Sequence, residues 1–142
     1  MTVSASPSMA AEAFDRWVFT QADQEAFAHL SGDSNPLHMD GAAARRTQAG
    51  HPVVHGMHVL SWALDAAARH GVLRQVPASM RVQFPKFTYI DRPLSLTLAA
   101  LDDEFVRLEL TQDELVSEDV ICHRPQRAIA TIWPRLCQAP TT

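Results

Sequence analysis

From Met57 the chain reads MHVLSWALDAAARHG, a run of good helix formers that ends on Gly71, a residue suited to the left-handed position just past a helix. It is the longest and most apolar helical segment in the sequence. After about Ser79 the pattern changes to alternation. Met80, Val82 and Phe84 share one parity and Phe87 and Tyr89 the other, which places a register shift, a bulge or a strand edge at Pro85-Lys86. Leu94, Leu96 and Leu98 then line one face. Beyond the acidic turn Asp102-Asp103-Glu104 come Val106, Leu108 and Leu110, opposed by Arg107 and Glu109. One apolar helix followed by half-buried antiparallel strands predicts an α+β domain in which a curved sheet wraps a long central helix. Such a sheet leaves edges and an incompletely covered face, so a homodimer is expected.

The remaining segments fit around this frame. Phe14–Thr20 mixes aromatic and β-branched residues, as a first strand does. Thr20 and Asp23 have the capping-box spacing, and Ala22, Ala26, Phe27 and Leu30 recur at helical intervals, predicting a helix over 21–30. Residues 31–50, rich in Gly, Asn, Asp and Pro, read as a long ordered loop with a short helical patch after Asp40, and long loops in compact domains tend to be functional. The stretch Gln112–Gln126 reads equally as a strand or an elaborated hairpin. Arg127–Trp133 has the composition of a final strand, ended by Pro134. The expected organisation is one domain over 14–134 with loose tails at 1–13 and 135–142.

Composition narrows the function. Apolar residues make up 46% and charged residues 20%, enough apolar surface for a real core. The formal charge of -4 and the scattered arginines, with Lys86 the single lysine, argue against nucleic-acid binding. Cys122 and Cys137 lie outside any CxxC spacing and read as free thiols in a reducing compartment. The opening MTVSASPSMAAEA has no basic segment leading into an apolar run, and no stretch reaches the roughly 18 apolar residues of a membrane span. A cytoplasmic protein without membrane contact is expected.

Asp33-Ser34-Asn35-Pro36-Leu37-His38 carries the clearest chemistry. Asp33 and His38 would not share a helix face, but Asn-Pro favours a turning backbone that brings the two side chains together. A carboxylate and an imidazole around one water suit general acid/base catalysis near neutral pH. Further on, Val53-Val54-His55-Gly56-Met57 leads into the long helix. Gly56 has no side chain to obstruct a ligand, and free N–H groups at a helix start stabilise negative charge on oxygen.

SGDSNPLHMD followed by HPVVHGM resembles the MaoC-like hydratases, also called (R)-specific enoyl-CoA hydratases, whose fold is the hot-dog fold. The resemblance runs from the first strand to about Trp133 and is specific through its D-x-N-P-L-H and V-H-G motifs. It implies that Asp33 and His38 hold the water that adds to a double bond or leaves in reverse, that Asn35 and Pro36 shape the loop, and that an N–H of Gly56 or Met57 binds a thioester carbonyl. Which of the pair activates the water and which protonates Cα stays open. The chain departs from the family in having Ile90-Asp91-Arg92-Pro93 where a bend glycine is common, and in carrying His58, Trp62 and Asp65 on the central helix.

Other readings belong beside these. Asn35 is most simply a turn former, with substrate contact as the lesser alternative. Ser61 either touches the catalytic aspartate or bonds to its own helix. His51, His55 and His58 cluster in sequence, yet Pro52 separates His51 from the helix and no carboxylate has a zincin spacing, so no metal is expected. No cofactor is called for. The resemblance implies interconversion of trans-2-enoyl and (R)-3-hydroxyacyl thioesters carried by coenzyme A or an acyl-carrier protein. The alternatives are a double-bond isomerase or dehydratase of a specialised polyketide or short-chain acyl intermediate, a thioesterase, and a non-catalytic acyl-thioester-binding module.

Overall fold

The computed structural model describes residues 12–125. Their elements run β1 (Ala13–Val18), α1 (Gln21–Ser31), α2 (Pro36–Met39), α3 (Gly41–Ala44), α4 (Gly56–Arg69), β2 (Ser79–Gln83), β3 (Pro93–Leu101), β4 (Phe105–Gln112) and β5 (Leu115–His123). The strands form one antiparallel sheet in the order β1-β3-β4-β5-β2, which leaves β1 and β2 as its edges.

Helix α4 supplies Val59, Leu60, Ala63, Ala66 and Ala67 to the core, where they join Leu94, Leu96, Val106, Leu108, Leu110, Val120 and Cys122 from the sheet. The three alanines keep that helix face shallow, so the strands approach it closely while the leucines fill the space between. Gly71 closes the helix end with φ 72°, as its position in the sequence predicts. The expected packing of a sheet against one long helix is therefore present.

The other elements add detail to the expected frame. Helix α1 forms over the expected span and docks through Gln24 and Ala28, its buried residues, whereas Leu30 is 83% exposed. Thr20 and Asp23 do form the reciprocal capping box. The loop over 31–50 contains two one-turn helices, α2 and α3. Strand β2 stops at Gln83, before Pro85, because proline has no N–H to continue the ladder. Beyond it Tyr89 makes only an isolated bridge to Val53. Within the open stretch, Gln112 ends β4 and Leu115–His123 forms strand β5, reached by a tight turn in which Asp113 and Glu114 both have positive φ, 53° and 66°, while Gln126 lies outside the described residues. The expected strand Arg127–Trp133, the C-terminal tail and Cys137 lie outside the described residues, as do residues 1–11 of the N-terminal tail.

The bend that lacks a glycine has a clear solution. Asp91 adopts φ 63°, the left-handed conformation that an aspartate tolerates better than most side chains, and its N–H donates to the Phe19 carbonyl at 2.7 Å. The buried Gln112 side chain clamps the same loop, accepting from the Tyr89 N–H at 2.8 Å and donating to the carbonyls of Tyr89 at 3.0 Å and Arg92 at 3.2 Å.

Candidate active site

The Asp33–His38 segment is built by its own side chains. The Asn35 N–H donates to Asp33 Oδ1 at 3.2 Å, and Asn35 Oδ1 accepts from the Leu37 N–H at 3.0 Å, capping α2, with Pro36 at its first position. That cap turns the chain so that His38, in the last turn of α2, faces back toward Asp33. Asp33 Oδ2 and His38 Nε2 stand 4.0 Å apart. Two hydrogen bonds of ordinary length, about 2.8 Å each, span such a gap through one water at an angle of about 90°, somewhat tighter than tetrahedral. His38 Nδ1 donates to the Val53 carbonyl at 2.6 Å, so in the neutral ring the lone pair lies on Nε2, the nitrogen that faces Asp33.

Two buried residues hold this arrangement from behind. Gln24, fully buried, donates from Nε2 to the carbonyls of His38 and Val53, both at 2.8 Å, which orients its amide. Its Oε1 consequently faces His55, accepting from the backbone N–H at 3.4 Å and lying 3.1 Å from Nδ1. His55 Nε2 donates to the Asp33 carbonyl at 2.8 Å. Sequence reasoning placed His55 in the V-H-G motif and weighed it as a metal ligand, without giving it this positioning role, and passed over Gln24. The signal for Gln24 was present: it stands one helical turn from Ala28, on the face that docks.

Asp33, His38 and His55 bring potential ligand atoms within 4.8 Å of one another, a grouping different from His51, His55 and His58. The fit to a metal is poor. His55 Nε2 carries its hydrogen toward the Asp33 carbonyl and presents no lone pair to an ion, and the set lacks the ligand count of a closed zinc site.

Gly56 opens α4, and His55 at the N-cap makes no side-chain cap bond, so the first N–H groups of the helix have no partner of that kind. His38 and Gly56 line one cavity of about 600 Å³, together with Phe84, Lys86, Tyr89 and Glu118. Gly56 is needed for more than ligand access: a Cβ there would lie 2.8 Å from Phe84 Cε1. Met57 is 60% exposed. Ser61 is not brought to this cavity. Its exposed hydroxyl donates to the Met57 carbonyl at 2.7 Å, and it lines a separate groove with Trp17, Phe27, His58 and Trp62. Glu118 escaped the sequence analysis altogether, although its parity with Val120 and Cys122 marks it as inward-facing.

The family model described as MaoC like domain matches residues 3–113. The chain belongs to the MaoC-like family. A curated relative, the (R)-specific enoyl-CoA hydratase of Aeromonas caviae, is 34% identical over 119 residues, covering 83% of this chain and 74% of that protein. Solved structures give the fold. The A. caviae (R)-hydratase superposes with a TM-score of 0.62 at 23% identity, over 84% of this chain and all of the other. A MaoC-like dehydratase from Phytophthora capsici gives 0.68 at 21% identity, over 87% of this chain and 43% of the other. With the antiparallel sheet packed on α4, this is the hot-dog fold of the MaoC-like proteins.

Proposed function

We propose that this MaoC-like protein is a hydratase/dehydratase interconverting trans-2-enoyl and (R)-3-hydroxyacyl thioesters. The observation that carries the reading is the 4.0 Å separation of Asp33 Oδ2 and His38 Nε2, with His38 lining the cavity that Gly56 also borders. In the hydration direction the pair holds a water over Cβ of the substrate. One O–H bond of that water breaks, its hydroxyl joins Cβ, the π bond between Cα and Cβ is lost and a proton reaches Cα through the pair, which ends in its starting protonation state. An N–H of Gly56 or Met57 stabilises the negative charge that develops on the thioester oxygen. Asn35 acts by shaping the loop. The homology to the A. caviae hydratase supports the same chemistry.

The carrier is coenzyme A or an acyl-carrier protein, and the working unit is a homodimer. Among the described residues strand β2 is an edge of the sheet, with Met80 46% exposed, and beside it Phe84 and Phe87 are exposed close to the cavity. Light scattering should report twice the 15.7 kDa chain mass.

The decisive experiment incubates the purified protein with enoyl and 3-hydroxyacyl thioesters on both carriers and identifies products by mass and chiral analysis. Appearance of the (R)-3-hydroxyacyl product, and of the enoyl product in reverse, is the expected result. Release of free thiol would make the protein a thioesterase, movement of the double bond an isomerase, and tight binding without turnover a binding module.

A further inference from the structure

Glu118 occupies a position where the sheet calls for an apolar side chain. On β5 it shares inward parity with Val120 and Cys122, both in the core, and its register partner on β4 is the fully buried Leu110. The residue is 1% exposed, yet Oε1 has no hydrogen-bond partner among the described residues. Buried polar groups without partners are rare and costly, and one that persists in a ligand cavity indicates a partner that arrives with the ligand. Glu118 borders the cavity that also contains His38 and Gly56.

We propose that Glu118 is a specificity-determining residue that hydrogen-bonds an oxygen substituent, hydroxyl or keto, on the acyl chain, so that the substrate is an oxygenated acyl thioester and not a plain alkyl one. The proposal rests on the hydratase reading for the reacting end of that substrate.

The chemistry of the cavity agrees. The walls around Glu118 are largely apolar, with Val54 and Phe84 among them, and would accept an alkyl chain, but such a chain would leave the carboxyl unpaired. A hydroxyl or keto oxygen accepts from the carboxylic acid form, and a hydroxyl can also donate back. Burial pushes the carboxyl up to about 8, so at neutral pH it carries the hydrogen that this contact needs. Lys86, on the same cavity, forms no salt bridge with Glu118 within 4.0 Å and does not cancel that role.

The test compares trans-2-enoyl thioesters bearing one hydroxyl or keto oxygen at successive carbons beyond Cγ with alkyl thioesters of equal length. The wild-type protein should favour at least one oxygenated substrate by about tenfold or more in kcat/KM, the scale expected when a site contains a buried group to be paired. Glu118→Leu should reduce that ratio to near one, and Glu118→Gln, which still donates and accepts, should retain part of it. Replacing an unpaired buried carboxyl with leucine should not impair folding, and thermal unfolding checks this directly. Calorimetric binding of the saturated thioesters, which cannot be hydrated, reads the same preference without turnover. A binding preference without hydration would retain the role of Glu118 and remove the hydratase reading. Hydration with no preference, or with one unchanged in Glu118→Leu, would overturn the proposal and leave the hydratase reading standing. Failure of every thioester to bind would overturn both.

Discussion

The imidazole of His55 stacks on that of His38 with ring centroids 4.1 Å apart and planes 25° from parallel. One ring faces the Asp33 side chain while the other is bonded to the Asp33 carbonyl, so the two histidines hold the same aspartate from two directions.

This separates shape from hydrogen bonding at position 55. His55→Phe keeps the stack but loses the donor to Asp33 and the partner of Gln24, so Asp33 should drift from its position opposite His38. A displacement of about 1 Å can cost on the order of 100-fold. Steady-state kinetics should therefore show a fall in kcat of about tenfold to 100-fold at little change in KM. An unaltered kcat would reduce His55 to a packing residue.

Asp33→Asn and His38→Ala should each lower turnover on the order of 100-fold or more, as loss of a general acid or base does. Both residues sit in a loop outside the main core cluster, so circular dichroism and melting should stay near wild type. Near-normal rates in either variant would remove it from the chemistry.

Gly56→Val should damage turnover more than folding. The Phe84 ring that a Cβ would meet is itself 54% exposed, so it can swing aside at a stability cost of about 1 to 3 kcal/mol, while the new side chain enters the cavity. A fall in kcat/KM on the order of 100-fold is expected, within the range for loss of one oxyanion donor. Adding Phe84→Ala should recover melting temperature and leave turnover low. If the folded fraction of Gly56→Val turns over normally, Gly56 serves packing alone.

The carboxyl of Glu118 makes stability depend on pH in a defined sense. Burial raises it from 4.5 to about 8, so between these values the folded state binds more protons than the unfolded one, and stability falls as pH rises. The penalty is nearly absent at pH 4 and complete above about 8, on the order of 5 kcal/mol at 1.36 kcal/mol per unit. Glu118→Gln should remove this slope. Urea denaturation of both proteins at several pH values measures the difference, and parallel profiles would show that the carboxyl is paired in solution.

Much of this structure was legible in the sequence because it depends on local periodicity. The alternation Val106-Leu108-Leu110 and the alanine-rich helix each specify their buried face without reference to anything distant. The Asp33–His38 pair was equally visible, since Asn35 and Pro36 build its turn from neighbouring atoms. Gln24 and Glu118 were not, because each is polar at a buried position and only the element packed against it explains why. For α1 the periodicity marked the helix itself but not its docked face, which is chosen by bonds from Gln24 to backbone carbonyls of the 38–53 region. Strand β2 ends just before Pro85-Lys86, where the change of parity marks a register shift, a bulge or a strand edge, because proline cannot continue the hydrogen-bond ladder.

Helix α1 has only two buried residues, and one of them is the glutamine that ties His38, Val53 and His55 together. The order of the site is thus borrowed from an element lying lightly on the surface, of the kind that opens locally well before a domain unfolds as a whole. Heat should silence the enzyme while its sheet is still intact, and a change as remote as Thr20→Ala, which removes the cap of α1, should lower the temperature of inactivation further than the temperature of melting.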